Sequence, residues 1–182
     1  EILSKTTLKG DSSNKFKIES KTKVNYIKLQ IFPDGGVARL RLFGEVKLNW
    51  ENYGNKNDLI ELSSLKLGGS IVAYNNAHYG DVSALLSHGR GKTMGDGWET
   101  RRRREPGNDW IIIKLATKGL IKKIEIDTAH FKGNYPDQAS VQVSNSDKNK
   151  GLEELITDSH NWKYILDKSK LQADNIHNYE VN

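Results

Sequence analysis

The stretch "VNYIKLQIFPDGGVARLRLFG", residues 24–44, carries the strongest β pattern in the sequence. It contains two runs in which apolar residues alternate with polar neighbours; the apolar members are Ile27, Leu29, Ile31, Ala38, Leu40 and Leu42. Successive side chains of a strand point to opposite faces, so each run places its apolar residues on one face. Between the runs, "PDGG" supplies a proline with a fixed φ and glycines that accept a positive φ. The stretch therefore predicts a β-hairpin with one buried face.

Short apolar runs separated by turn residues continue along the chain. The predicted strands are "SIVAY" near Ser70, "DWIIIKL" at 109–115, "LIKKIEID" at 120–127, "ASVQVS" at 139–144 and "WKYIL" at 162–166. One segment, "GDVSALLSHG", predicts a short helix near 81–88 with Asp81 as its N-cap. Many short strands joined by turns are typical of β-sandwiches. We therefore expect an all-β fold, a jelly-roll β-sandwich, with one short helix.

Composition narrows the classes of function. The chain has 182 residues and a net charge of +5, so it should attract anions. It has no cysteine, which excludes disulfides, thiolate metal sites and a cysteine nucleophile. No apolar run approaches the roughly 18 residues of a membrane span, and the first ten residues contain no apolar signal core. We expect a cytoplasmic protein that does not associate with membranes.

The two ends of the chain resemble each other at a fixed offset of 163 positions, the separation of Leu3 and Leu166. The matched pairs are Leu3 with Leu166, Leu8 with Leu171, Asp11 with Asp174 and Phe16 with Tyr179. Such self-similarity indicates tandem modules. Because the first copy leads into the hairpin whereas the chain stops after the second, we expect three parts. Residues 1–46 would be the last strands of one module, 47–58 a linker, and 59–182 a second module lacking its final hairpin.

The segment "GDGWETRRRREPGNDW", residues 95–110, is rich in arginine and flanked by acids. If it is extended, one face carries Glu99, Arg101 and Arg103, and the other carries Arg102 and Arg104. An arginine fork can bind a carboxylate with two hydrogen bonds, and acids can orient amide-type N–H groups. Two alternatives stay open. The segment can be a solvated basic strand paired with its own acids, or a nucleic-acid tract. The flanking acids and the absence of interleaved aromatic residues disfavour the latter.

A second polar segment, "DTAHFKGNYPD" at 127–137, begins at the end of a predicted strand. Its loop carries His130, Lys132, Asn134 and Asp137, and functional residues often lie on loops held by strands. Histidine can act as a general acid or base near neutral pH, although a loop histidine is more often a surface residue. Asp127, His130 and Asp137 are also acceptable metal ligands. No tight ligand motif accompanies them, so a metal site is an alternative interpretation.

Three blocks in this spacing resemble the allantoicase family: "MGDGWETRRRREPGNDWIIIKL", "IEIDTAHFKGNYPD" and "FPDGGVARLRLFG". The resemblance covers nearly the whole chain. It implies two homologous repeats, each a galactose-binding-like jelly-roll β-sandwich, with "FPDGG" and "RLRLFG" closing a repeat. The chain would then join the end of the first repeat to most of the second. An incomplete pair of repeats need not be active by itself.

The resemblance further implies hydrolysis of allantoate to (S)-ureidoglycolate and urea in purine breakdown. The chemistry of that substrate suggests roles for the residues of the two polar segments. The expected catalytic residues are His130, Asp127 and Glu99, with Asp127 as the partner of His130. The expected substrate-binding residues are Asp96, Arg101, Arg103, Lys132 and Asn134. Asp96 would orient a ureido group with Glu99, one of the two arginines would clamp the carboxylate, and Lys132 with Asn134 would stabilise developing charge.

The partners implied by the resemblance are the small-molecule substrate allantoate and further copies of the full-length protein, as a homo-oligomer. We expect no cofactor, no nucleic-acid partner and no membrane partner. A rival from another class is a non-catalytic β-sandwich module that binds a small anion or a sugar. That module would present an aromatic shelf with few ionisable residues in its cleft. The candidate cleft residues here are ionisable, which favours an enzyme.

Overall fold

The chain divides into two units, Glu1–Lys47 and Leu48–Asn182. The computed structural model describes residues 1–24, 26–45, 47, 51, 53, 58–146 and 150–181. The predicted division into 1–46, 47–58 and 59–182 stays a prediction. Most of the predicted linker lies outside the described residues.

The regular secondary structure of the described part of the second unit is mainly antiparallel β. Its elements are β1 (Ser70–Tyr74), β2 (Ile111–Lys114), β3 (Lys123–Asp127), β4 (Gln138–Val143), α1 (Leu152–Ser159), β5 (Lys163–Lys170) and β6 (Ile176–Glu180). Strand β1 pairs with β2, β3 with β6, and β4 with β5. Every one of these pairs is antiparallel. The prediction of an all-β, jelly-roll β-sandwich class is confirmed.

The predicted short helix near 81–88 is present as a 3₁₀ helix, Val82–Leu86. The side chain of Asp81 accepts a hydrogen bond from the backbone N–H of Ser83 at 2.9 Å, so Asp81 is the N-cap as predicted. Two shorter 3₁₀ helices lie at Leu65–Leu67 and Met94–Asp96. Strands β1 to β5 lie where the short apolar runs predict strands.

Helix α1 and strand β6 are not predicted from the sequence. In α1, Leu152, Leu155 and Ile156 have the i, i+3, i+4 spacing of a helix face. The negative charges of Glu153 and Glu154 in its first turn stabilise the helix, because the N-terminal end of the helix dipole is positive. Helix α1 has only 8 residues. Across the described residues, no helix has both the length and the apolar character needed to cross a membrane.

Strand β6 lacks the aliphatic alternation that identifies the other strands. Its inward positions are His177 and Tyr179, while Ile176 faces outward. In the β3–β6 ladder, Tyr179 pairs with Ile124 and His177 with Ile126. The period of two is therefore carried by aromatic and imidazole side chains, which a search for aliphatic residues does not detect.

The core of the described part of the second unit is formed by residues from several elements and loops. The buried apolar residues are Leu67, Val82, Leu86, Ile112, Ala129 and Leu171. Ala129 lies in the loop after β3, and Leu171 begins the turn between β5 and β6. The backbone N–H of Leu171 donates to the carbonyl of Asp137 at 3.0 Å. These contacts fix the loop after β3 and the β5–β6 turn to the body of the second unit.

The first unit differs from the predicted hairpin. Its described residues, 1–24, 26–45 and 47, contain no strand, and each of them is exposed. Apolar positions that the pattern assigns to a buried face, such as Leu29 and Leu40, are 51% exposed. An isolated two-stranded hairpin is marginally stable at best and needs further strands to cover its apolar face. The alternating pattern therefore specifies strands that depend on a larger sheet.

The repeat detected in the sequence also appears in the local structure. Asp11 and Asp174, which match at the repeat offset, both have a positive φ, 43° and 49°. A left-handed conformation is uncommon for any residue other than glycine, although aspartate tolerates it better than most. The matched aspartates therefore form the same kind of turn in the two units.

The two turns are also closed by equivalent hydrogen bonds. In the first unit the backbone N–H of Lys9 donates to Oδ1 of Asn14 at 3.0 Å. In the second unit the backbone N–H of Gln172 donates to Nε2 of His177 at 2.8 Å. Lys9 and Gln172, like Asn14 and His177, are separated by the repeat offset. A similar turn forms in both units, although the side chains that close it differ.

Candidate active site

Asp127, the last residue of β3, starts the loop that carries His130. Its Oδ1 accepts a hydrogen bond from the backbone N–H of Ala129 at 2.8 Å, a local turn typical of aspartate. Its Oδ2 lies 3.0 Å from Nε of Arg90. The side chain of Asp127 is only 24% exposed. Arg90 therefore holds the beginning of the loop.

His130 is fixed through both its backbone and its ring. Its φ is +69°, and its backbone N–H donates to Oδ1 of Asp174 at 2.8 Å. Its Nε2 lies 2.8 Å from the carbonyl oxygen of Gly91. Since a carbonyl only accepts, Nε2 must carry the hydrogen of this bond. Among the described residues, Nδ1 has no hydrogen-bond partner, so it is available to accept a proton.

The structure does not form the predicted pair of Asp127 with the His130 ring. The ring bonds to the Gly91 carbonyl, and the Asp127 carboxylate bonds to Arg90 and to the backbone of Ala129. The physical reason is the left-handed turn at His130. That turn directs the backbone N–H of His130 to Asp174, while the ring lies against the segment that follows Arg90.

Thr128 joins the His130 loop to the turn between β5 and β6. The residue is 3% exposed. Its Oγ1 lies 2.6 Å from the carbonyl oxygen of Gln172 and accepts a bond from the backbone N–H of Asn175 at 3.0 Å. The backbone N–H of Thr128 donates to the carbonyl of Asn175 at 2.9 Å. Thr128 is thus bonded to the turn on both sides of Asp174, at Gln172 and at Asn175.

Asp174 and Arg90 are site residues that the sequence analysis does not identify. Nη2 of Arg90 lies 3.6 Å from Oδ1 of Asp174, so Arg90 bridges Asp174 and Asp127. The backbone N–H of His130 lowers the pKa of Asp174, as do the charges of Lys132, Arg90 and His130. The only sequence signal for Asp174 is its match to Asp11. Arg90 lies in "GRGKT", a segment that matches no functional motif.

A small cavity of about 90 Å³ lies beside this network. It is lined by residues of the 81–97 segment and of the His130 loop, including three predicted site residues, Asp96, Asp127 and His130. Gly97 also lines it, and a Cβ added there would lie 3.1 Å from the ring of Phe131. A larger residue at position 97 would therefore require the Phe131 ring to shift, so glycine favours the close approach of the "GDGW" segment to the His130 loop.

Asp96 faces the cavity but is engaged by its own turn. Its Oδ2 accepts hydrogen bonds from the backbone N–H groups of Lys92 at 2.9 Å and Thr93 at 3.0 Å. These bonds lower the pKa of Asp96, so its carboxylate is ionised at neutral pH. Asp96 thus shapes the cavity wall as well as adding charge to it.

Glu99 and Asn134 are brought together from the two polar segments. Nδ2 of Asn134 donates to Oε1 of Glu99 at 2.7 Å. The backbone of Glu99 is held by the N–H of His78 at 2.8 Å, next to an antiparallel bridge between Tyr79 and Glu99. The predicted residue Lys132 is exposed in the same loop.

Arg101 and Arg103 form ion pairs with acids of their own segment. Arg101 is paired with Glu105, and this contact is the main cause that lowers the pKa of Glu105 to about 2. Nη2 of Arg103 lies 2.6 Å from Oδ1 of Asp109. Nε of Arg103 is buried without a hydrogen-bond partner in the described structure. Neither arginine lines the cavity beside His130, and this arrangement matches the open alternative of a basic segment neutralised by its own acids.

The alternative interpretation as a metal site is not supported by a group of ligands in the described residues. Within the described residues, no three His, Asp or Glu side chains are arranged to hold a metal ion. The carboxylate of Asp137 is instead engaged by Nζ of Lys170, at 2.6 and 2.8 Å. What the site does assemble is an imidazole whose Nδ1 has no hydrogen-bond partner among the described residues, at a cavity wall that also carries the ionised carboxylate of Asp96. An imidazole nitrogen of this kind is suited to proton transfer.

Comparison with known proteins gives a consistent family match. A family model described as the allantoicase repeat matches residues 1–47 and 60–182. A probable allantoicase 1 from Burkholderia mallei is 45% identical over 181 residues, which is 100% of this chain and 53% of the relative. A probable allantoicase from Ralstonia nicotianae is 44% identical, with the same coverage. The chain spans about half the length of the curated relatives it matches.

Solved structures agree. A crystal structure of allantoicase from Saccharomyces cerevisiae is 37% identical and matches with a TM-score of 0.57, covering 67% of this chain and 35% of that chain. A second allantoicase structure is 38% identical, with a TM-score of 0.56 and the same coverage.

Proposed function

Because this chain belongs to the allantoicase family, we propose that it is part of a two-repeat enzyme that hydrolyses allantoate to (S)-ureidoglycolate and urea in purine breakdown. Relatives named as probable allantoicases match the whole chain with about half of their own length. The two matched segments and the equivalent turns at Asp11 and Asp174 support a tandem arrangement. The proposal includes a cytoplasmic homo-oligomer, an expectation that rests on the family resemblance.

The chemistry of allantoate defines what the site must supply. The substrate has one central carbon that carries a carboxylate and two ureido groups. In the reaction one C–N bond to a ureido nitrogen breaks and a hydroxyl from water takes its place. The leaving nitrogen gains a proton and departs as urea, and the attacking water loses a proton. One group that can donate and accept a proton is enough to balance both steps.

His130 is the residue proposed for this role. The observation that carries the proposal is that two bonds fix His130 at the cavity wall, from its backbone N–H to Asp174 and from Nε2 to the Gly91 carbonyl. These bonds leave Nδ1 without a partner among the residues that the structure describes. A protonated Nδ1 can donate to the leaving ureido nitrogen, and the neutral ring can then accept a proton from water. The bond at Nε2 persists in both states because Nε2 keeps its hydrogen.

The remaining residues are proposed to bind the polar groups of the substrate. Glu99 accepts a bond from the side-chain amide of Asn134, so the pair offers both an acceptor and a donor to a ureido group. Asp96 supplies a negative charge at the cavity wall. Asp127 acts through Arg90 rather than on the imidazole. Lys132 is proposed to stabilise developing negative charge, together with Asn134.

Arg101 or Arg103 is proposed to clamp the substrate carboxylate, and in either case an existing ion pair must open. Arg101 is exposed and paired with Glu105, so a substrate carboxylate would replace Glu105. Arg103 is 25% exposed and bonded to Asp109, so its release is more costly. Of the two, Arg101 is therefore the better placed to exchange partners.

The role of His130 is tested by replacing it with asparagine in the full-length protein that contains this chain. Asparagine tolerates the left-handed conformation of His130, so H130N removes the imidazole with little backbone strain. We expect kcat for urea release from allantoate to fall by about 10²- to 10⁴-fold. The matched control is H160N, since His160 is exposed at the end of α1. Wild-type turnover in a folded H130N protein would remove His130 from the mechanism.

A further inference from the structure

Asp174 lies in a different part of the chain from His130 and yet controls its backbone. The carboxylate accepts the N–H of His130 at 2.8 Å. In return, the backbone N–H of Asp174 donates to the carbonyl of Phe131 at 3.3 Å. The two residues are 44 positions apart in sequence. These reciprocal bonds tie the left-handed residue of the loop to the left-handed residue of the turn.

The backbone of His130 needs this support. A φ of +69° is uncommon for a residue other than glycine, and it persists where the surroundings determine it. One fixed contact of the loop is Thr128, which is bonded to the turn on both sides of Asp174 through Gln172 and Asn175. The other is the Asp174 carboxylate itself. Removing that carboxylate leaves Thr128 in place but releases the residue that carries the imidazole.

The turn that presents Asp174 is formed by its own sequence. The equivalent turn of the first unit has Asp11 at a φ of 43° and closes with a side-chain bond from Asn14 to the N–H of Lys9. The left-handed aspartate thus recurs in a separate copy of the sequence. The recurrence indicates that the local sequence favours this turn, which places the Asp174 carboxylate against the backbone N–H of His130.

We infer that Asp174 is a positioning residue for the proposed hydrolysis of allantoate. Its carboxylate holds the backbone of His130 so that the ring lies against Gly91 at the cavity wall. The inference rests on the proposed function for its kinetic consequence. The hydrogen bond from the backbone N–H of His130 contributes most to this positioning. The other contact of the Asp174 carboxylate, with Arg90, is weaker because it is longer, at 3.6 Å, and the Arg90 side chain is exposed.

Two substitutions at Asp174 separate the hydrogen bond from the charge. D174N keeps an acceptor oxygen and tolerates the left-handed turn, but it removes the negative charge. D174G keeps the conformational freedom of the turn and removes the whole side chain. A173G, at the preceding exposed position, is the control for added flexibility in the same turn.

In the full-length protein we expect D174G to lower kcat for urea release about 100-fold, with KM little changed, since misplacing a catalytic group by about 1 Å has an effect of that size. D174N and A173G should remain close to the wild type. Hydrogen–deuterium exchange of a peptide that covers residues 128–131 should be faster in D174G alone. Wild-type kcat in D174G, or equal losses in D174G and D174N, would overturn the inference.

The exchange measurement separates this inference from the proposed function. If the wild-type protein releases no urea from allantoate, the proposed function fails, but the exchange of residues 128–131 still reports on Asp174. Faster exchange in D174G, with A173G and D174N unchanged, would support the positioning role. Unchanged exchange in D174G would overturn it whatever the activity.

Discussion

Two of the four consecutive arginines form ion pairs with acids of their own segment. Arg101 pairs with Glu105, four positions along the chain, and Arg103 pairs with Asp109. The run therefore does not present four unpaired cations to solvent. A substrate carboxylate that binds Arg101 must compete with Glu105, so the protonation of Glu105 reports directly on this contact.

An NMR titration of the Glu105 carboxyl group tests this pairing. Arg101 lowers the pKa of Glu105 from 4.5 to about 2 in the structure. A depressed pKa means that the pairing is complete above pH 4.5 and is lost as the pH falls towards 2. We expect R101Q to raise the midpoint towards its usual value, and R102Q, a change at an exposed neighbour, to leave it unchanged. A midpoint that is the same in wild type and R101Q would contradict the pairing.

The sequence identifies which residues carry reactive side chains, but it does not identify the residues that hold them in place. His130, Asp127 and Asp96 are identified by residue type and motif, and all three line the same cavity. Arg90 and Asp174 are not identified, because their bonds to Asp127 and His130 join positions about 40 apart in sequence. Proximity along the chain favours a pair of Asp127 with His130. The left-handed turn at His130 separates them.

At the scale of elements, close approach of two backbone segments positions the "GDGW" block. Gly80 has a φ of +70°, and a Cβ added there would lie 2.9 Å from the carbonyl oxygen of Gly95. The residue before it, Tyr79, forms the bridge to Glu99. The position of Glu99 therefore depends on a glycine in a separate segment.

Replacing Gly80 by alanine should lower the free energy of unfolding by about 1–3 kcal/mol, since both the conformation and the contact become unfavourable. The matched control is G95A, where an added Cβ meets only Oγ1 of Thr93 at 3.5 Å. Its effect should stay within about 0.5 kcal/mol. Chemical denaturation of the full-length variants measures both. Equal effects of G80A and G95A would show that this close approach is absent.

Predicting strands from short apolar runs works where the strand contains aliphatic residues at its less exposed positions. Strands β1 to β5 contain such residues, whereas the less exposed positions of β6 are His177 and Tyr179. Helix α1 has a helical spacing of apolar residues in only two turns, so its signal is short. The stretch at 24–44 shows the converse, since a strong strand pattern is not sufficient without neighbouring strands.

At the scale of the whole molecule, the repeat explains why the chain has two units of different character. The first unit ends in a block that closes a repeat in the family resemblance, and its described residues are exposed. The second unit contains the His130 loop, the turn that supports it and the cavity beside them. The site geometry described here therefore belongs to the second unit.

The most direct test of the central claim is urea release from allantoate by the full-length protein. If the chain is part of an enzyme that hydrolyses allantoate, we expect one urea and one ureidoglycolate for each allantoate consumed. We also expect slower release from N-carbamoylglycine, which lacks the second ureido nitrogen that can assist departure of the first. Tight binding of allantoate without release of urea would contradict the account and would indicate a binding module.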